Sequence, residues 1–155
     1  MDPTASILNI NLSIEKFLWD NVASIASVLL MQSGDIATRQ EELLATDRAI
    51  VWHTIGGAAG NKGELTLFVG ATTINDPGGL QRILLLDKIK EAFDVNAGID
   101  VWQYLDTGLI TDPAVRVNEL AIIGPLHWWP EFTDTNIRFT TKHVSQKLKF
   151  AQRRV

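Results

Sequence analysis

The chain has 155 residues, 46% of them hydrophobic and 21% charged, with no cysteine and a formal charge of −4. That length suits one domain, residues 1–155, able to hold its own core, and the apolar content excludes a disordered chain. Disulfides, thiolate metal sites and cysteine nucleophiles are excluded with the cysteines.

In chain order, residues 1–12 predict an extended arm, because Pro3 and scattered polar residues give no period. Ser13 is a candidate N-cap. Ile14, Phe17, Leu18, Val22, Ile25, Val28 and Leu29 follow helical spacing and predict an amphipathic helix over 14–31, closed by Gly34. The longest uncharged run, residues 21–34, is 14 residues long, short of the roughly 20 that a membrane helix needs. No basic residue precedes Lys16, so neither a secretory leader nor a membrane partner is expected. A short helix is placed near residues 39–44. Residues 49–55 and 64–73 read as strands joined by the glycine-rich tip 56–63, a hairpin. In the second strand Leu65, Leu67, Val69 and Ala71 share one face, and Thr66, Phe68, Gly70 and Thr72 the other.

Residues 75–79 predict a turn and 80–93 a helix. Its inner face is Leu85, Leu86, Ile89, Ala92 and Phe93, while Ile83 and Leu84 widen the apolar arc and predict cover on more than one side. Strands over 99–105, 115–123 and 136–144 form a three-strand meander, with an aromatic turn bracketed by Pro125 and Pro130. Residues 145–155 are placed in a short helix or basic tail. The predicted class is α+β: an antiparallel sheet, hairpin plus three-strand meander, packed against two helices, with a core over 13–144 between arm and tail.

Charge is unevenly spread. All 18 acidic residues lie at or before Asp134, against 8 of the 14 basic ones, a balance of −10; the remaining stretch carries +6. An acidic body with a basic end favours head-to-tail association or docking on an acidic neighbour.

No catalytic signature emerges. The glycine loop does not match a phosphate-binding loop, because Lys62 is followed by Gly63 and the segment leads into a strand rather than a helix. Asp106-Thr107-Gly108 and Ile122-Ile123-Gly124 resemble aspartic-protease elements, but the 15 residues between Asp106 and Ile122 leave no room for the flap that family places there. His53, His127 and His143 have no metal-ligand spacing, and none of the six serines lies in G-x-S-x-G. Catalytic, cofactor-binding and metal-binding residues are therefore not expected, and the chain is read as a non-enzyme without cofactor. The candidate contact residues are the tip (Gly57, Gly60, Asn61, Lys62), the tryptophan pair Trp128–Trp129, and the basic cluster Lys147, Lys149, Arg153 and Arg154. Consecutive tryptophans cannot both point to one sheet face, and tryptophan is enriched in interfaces.

The helix over 14–31, the hairpin 49–73, the segment NDPGGLQRILLLDKIKEAF and the closing segments VRVNELAIIGPL and TNIRFTTKHVSQKL together resemble the tail terminator, or neck completion, proteins of tailed bacteriophages. The likeness lies in element order, length and texture. It implies a hexameric ring that stops tail-tube growth and joins the tail to the head connector, with DNA passing through the channel without specific binding. The implied partners are further copies of the chain, the tail tube and the head–tail connector. The implied location is the virion, assembled in host cytoplasm. Another virion component (tube, head-completion or baseplate protein) and a non-viral α+β binding domain are the alternatives.

Overall fold

The computed structural model describes residues 7–56, 64–104, 113–134 and 138–150, with side chains at 113–115 left out. Its class is mixed α+β. Helix α1 (Ile7–Leu18) runs through a π-helical turn (Trp19–Ala23) into α2 (Ser24–Ala26). Then come β1 (Leu29–Gln32), α3 (Gln40–Thr46), β2 (Arg48–Ile55) and β3 (Glu64–Thr73). They are followed by α4 (Leu80–Val95), β4 (Gly98–Tyr104), β5 (Pro113–Trp128), β6 (Phe132–Thr133) and β7 (Thr140–Phe150). The strands form one sheet in the order β1-β2-β3-β7-β5-β4, with β6 paired to β7. Among the described residues no helix is long and apolar enough to cross a membrane.

The first helix differs from the expectation at both ends. Residues 7–12, assigned to an extended arm, are helical, and Ser13 sits inside α1 rather than capping it. Two polar residues mask the pattern because they are buried for a reason of their own. Ser13 Oγ accepts the Trp102 N–H at 2.9 Å, and Asn9 Oδ1 accepts the Tyr104 N–H at 3.0 Å. One turn apart on α1, they satisfy the outer amides of edge strand β4, which would otherwise be orphaned. The helix also stops early. Ser27 adopts a left-handed conformation (φ 56°), and the apolar run that follows becomes β1, parallel to β2 with Leu29 opposite Ala49. A short apolar run fits either period, and the waiting sheet edge decides it. The sheet is therefore mixed, not antiparallel throughout.

The larger correction lies at residues 145–155. Up to Phe150 they are neither helix nor tail but the second half of β7, seated between β3 and β5. Lys147 and Lys149 alternate with Gln146 and Leu148, a strand period that their charge hides. Pro125 does not open a turn. It lies inside β5 at a bulge, where residues 124–126 face Gln146 between the pairs Ile123–Lys147 and His127–Ser145. Gly124 supplies the positive φ of 72° that the bulge requires.

The core fills the face of the sheet under α1, α2 and α4. Leu67, Val69, Ala71, Trp52, Leu120 and Leu148 pack there against Ile14, Leu18, Ile89 and Phe93. On the opposite face a smaller cluster of Met31, Leu43, Ala49, Val51 and Phe139 sits beneath α3, a helix outside the two-helix scheme. The start of α4 is anchored by Asp76, whose carboxylate accepts the N–H groups of Gln81 and Arg82 and the Thr73 hydroxyl. Burial opposes ionisation of Asp76, but these hydrogen bonds and the nearby Arg82 charge hold its carboxyl below the usual range. Arg82 reaches on to Glu131 at 3.3 Å, tying α4 to the segment after β5.

Candidate functional site: the open face of the sheet

Beyond the patch covered by α3, the second face of the sheet is lined by rings. Cross-strand register puts His53 beside Phe68, Phe68 beside Ser145, and Gly70 beside His143. The rings form a continuous ladder. Phe132 stacks on His143 (6.0 Å between centroids, 9°), and His143 meets His53 edge-on (5.8 Å, 76°). His53 lies flat on Phe68 (4.8 Å, 2°), which contacts Trp129 (5.7 Å), which meets His127 edge-on (4.8 Å, 75°). All three histidines of the chain belong to it.

Local structure explains why the rings hold these places. A Cβ added at Gly70 would come within 2.7 Å of His143 Cδ2 and 2.9 Å of the Lys142 carbonyl oxygen. The absence of a side chain is what lets the His143 ring lie against β3. Trp129 is fixed twice: its indole Nε1–H donates to Ser145 Oγ, and its backbone N–H to the His143 carbonyl, both at 3.0 Å. Ser33 Oγ lies 3.0 Å from His53 Nδ1. Burial holds the pKa of His53 below the ordinary histidine value. His143 is lowered by burial first and then by His53, and its Nε2 is buried without a hydrogen-bond partner among the described residues. Both rings are thus neutral at pH 7 and present themselves as aromatic surface.

Two hollows flank the ladder. One, of about 610 Å³, is bordered by Ser33, Ile36, Phe132, Phe139 and His143. The other, of about 720 Å³, is bordered by Ile55, Phe68, Ile123, His127, Trp129 and Lys147. Neither Lys147 nor Lys149 is in an ion pair among the described residues. No group of three or more histidine, aspartate or glutamate side chains is arranged to hold a metal among the described residues. What the face offers is stacking and apolar contact, with the Lys147 cation at the rim of the larger hollow.

Of the residues singled out in the sequence, the fold brings Trp129 and Lys147 together at the larger hollow. Trp128 pairs with Val144 in register, so its side chain leaves the strand on the other side from Trp129. Both stay at the surface, 42% and 40% exposed. Lys149 lies beyond the hollow, opposite Glu64. Gly57, Gly60, Asn61, Lys62, Asp106, Arg153 and Arg154 lie outside the described residues. Sequence reasoning missed His53, Phe68, His127 and His143 as a group. The placement of Phe68 and Gly70 on the face opposite Leu67 and Val69 is the available signal, but the ladder exists only once β7 is placed next to β3. No protein-family model matches the chain, and no curated protein matches it in sequence, so the face is interpreted from its own geometry.

Proposed function

We propose that the chain is a structural subunit that works through its surfaces: a tail terminator of a tailed-phage particle, assembling as a hexameric ring at the neck. In this reading it ends tail-tube growth, joins the tube to the head–tail connector, and lets DNA pass without gripping it. No cofactor takes part. The supporting observation is the apolar surface left bare on the open sheet face, where Ile55, Ile123, Trp129 and Phe132 all stand exposed. Contiguous bare apolar surface on a folded chain marks a contact site, and aromatic residues dominate such contacts. The net acidic charge is compatible with a channel that repels phosphate rather than binding it.

The test is the state of assembly. Native mass spectrometry and negative-stain images at micromolar concentration are expected to give closed rings of six copies. Trp129→Ala is expected to shift the population toward single copies with an unchanged far-UV circular dichroism spectrum. A wild-type chain that stays monomeric at every accessible concentration overturns the proposal. The preformed larger hollow favours the second reading, a binding domain for a small partner, which a persistent monomer would support.

A further inference from the structure

The outer surface of α4 and the larger hollow lie on opposite sides of the sheet. Leu85, Leu86, Ile89 and Phe93 of α4 enter the core against Leu65, Leu67 and Val69, whereas the hollow is walled by Phe68 and Thr66 of the same strand β3. Leu80, Ile83 and Leu84 remain outside, 59%, 51% and 50% exposed. Their i, i+3, i+4 spacing makes them one ridge, the pattern with which a helix enters an apolar groove. Asp87 continues the ridge one turn on, exposed and in no ion pair among the described residues.

The hollow is the counterpart in shape and charge. Ile55, Phe68, Ile123 and Trp129 give it apolar walls, and Lys147 is the charged residue at its border, with no carboxylate among the lining side chains. The walls are held in place. Trp129 is pinned to Ser145. The bulge that forms one side is braced by Gln146, 2% exposed, whose Nε2 donates to the carbonyls of Ile123 and Gly124 at 2.9 and 3.0 Å. A groove that is already formed loses little entropy when it is filled.

We infer that the Leu80–Ile83–Leu84 ridge of one copy seats in the β3–β7–β5 hollow of the next, with Asp87 directed toward Lys147. This rests on the self-association reading above and names the two surfaces that would carry it. The contact is head to tail: each copy offers a ridge on one side and a hollow on the other, so the contact repeats from copy to copy, and a rotation that closes gives a ring. Like-with-like pairing is disfavoured. Two hollows would oppose Lys147 with Lys147, two ridges would oppose Asp87 with Asp87, and either would leave the other apolar surface bare.

The experiment uses two charge reversals, Lys147→Glu and Asp87→Lys, in the full chain. Each alone is expected to raise the concentration for half-assembly by about tenfold or more, because like charges then meet across the contact. An equimolar mixture of the two is expected to restore assembly. In the mixture the substituted hollow meets the substituted ridge with charges exchanged, and the unchanged hollow meets the unchanged ridge. A cross-link covers the case in which a reversal disturbs folding. Since the chain contains no cysteine, Leu84→Cys copies mixed with Ile123→Cys copies are expected to form disulfide-linked pairs on oxidation, absent when either variant is oxidised alone. If the wild type assembles but the reversals have no effect, the mixture does not recover, or only like copies cross-link, this inference is overturned and the self-association reading stands. If the wild type does not assemble, both fall.

Discussion

The two faces of the sheet come from the same strands and have opposite characters. On β3, Leu65, Leu67, Val69 and Ala71 are all buried in one cluster under the helices. Between them, Phe68 is only half-buried, and Gly70 is close-packed because a ring lies on it. The helix-covered face is mainly aliphatic, with Trp52, Phe17 and Phe93 among its side chains, and most of it is buried under the helices. The other face is aromatic and closed only near α3, by Leu43 and Phe139. Aliphatic side chains have no use except burial, whereas rings with a polar edge can remain half-wet, so the open face keeps its surface available without destabilising the fold.

The sharpest test of that contrast compares neighbouring residues. Leu67→Ala is expected to destabilise the chain by about 3 kcal/mol, as a fully buried leucine does. Phe68→Ala is expected to cost about 1 kcal/mol, since its ring is half-buried to begin with. Urea unfolding of the two variants measures both, and equal losses would erase the distinction between the faces. Next in size is Gly70→Ala, expected to cost about 1–3 kcal/mol by overpacking against His143 and the Lys142 carbonyl. Combining it with His143→Ala should relieve part of that loss, because only the clash with the carbonyl remains; a double-mutant cycle reads the coupling.

A smaller effect is expected from pH. His53 and His143 titrate lower in the folded chain than the ordinary 6.5, so between the folded and unfolded values the unfolded chain binds more protons. Their neutral packing therefore contributes its full stability above about pH 6.5 and loses it as pH falls toward the folded values. Thermal unfolding at pH 7.5 and 5.5 should show a lower midpoint in acid, and replacing both histidines by phenylalanine should flatten that part of the difference. The smallest effect belongs to the helix-covered side. Tyr104 is buried with its hydroxyl unpartnered among the described residues, and burial pushes its pKa up to about 12. Tyr104→Phe is expected to leave stability unchanged or raise it by up to about 1 kcal/mol. A clear loss in calorimetry would show that the hydroxyl does find a partner.

Strand β3 was legible to the residue (64–73), because it has one clean period and a buried side. On α4 the apolar inner positions are buried as expected, but Ile83 and Leu84, for which cover was expected, stand exposed, and Arg82 is buried with the inner face. Buried polar residues were not legible. Asn9, Ser13 and Gln146 look like surface in the sequence, and their roles appear only against a distant strand or bulge. Lys147 and Lys149 misled for the converse reason: their charge outweighed a period-two pattern whose inward positions are Val144, Gln146 and Leu148. The aromatic site shared that obscurity. Its members come from five separate stretches of chain, and pairings such as Thr72 with Thr141, 69 residues apart, assemble them.

The placement of β7 also governs the order of events during synthesis. The β2–β3 pair emerges from the ribosome early, and the β4–β5 pair follows, but the strand that bridges them is translated last of all the strands. Until it arrives, β3 and β5 each carry an open backbone edge and a naked row of leucine, isoleucine and valine, the state in which a nascent chain is most prone to stick to its neighbours.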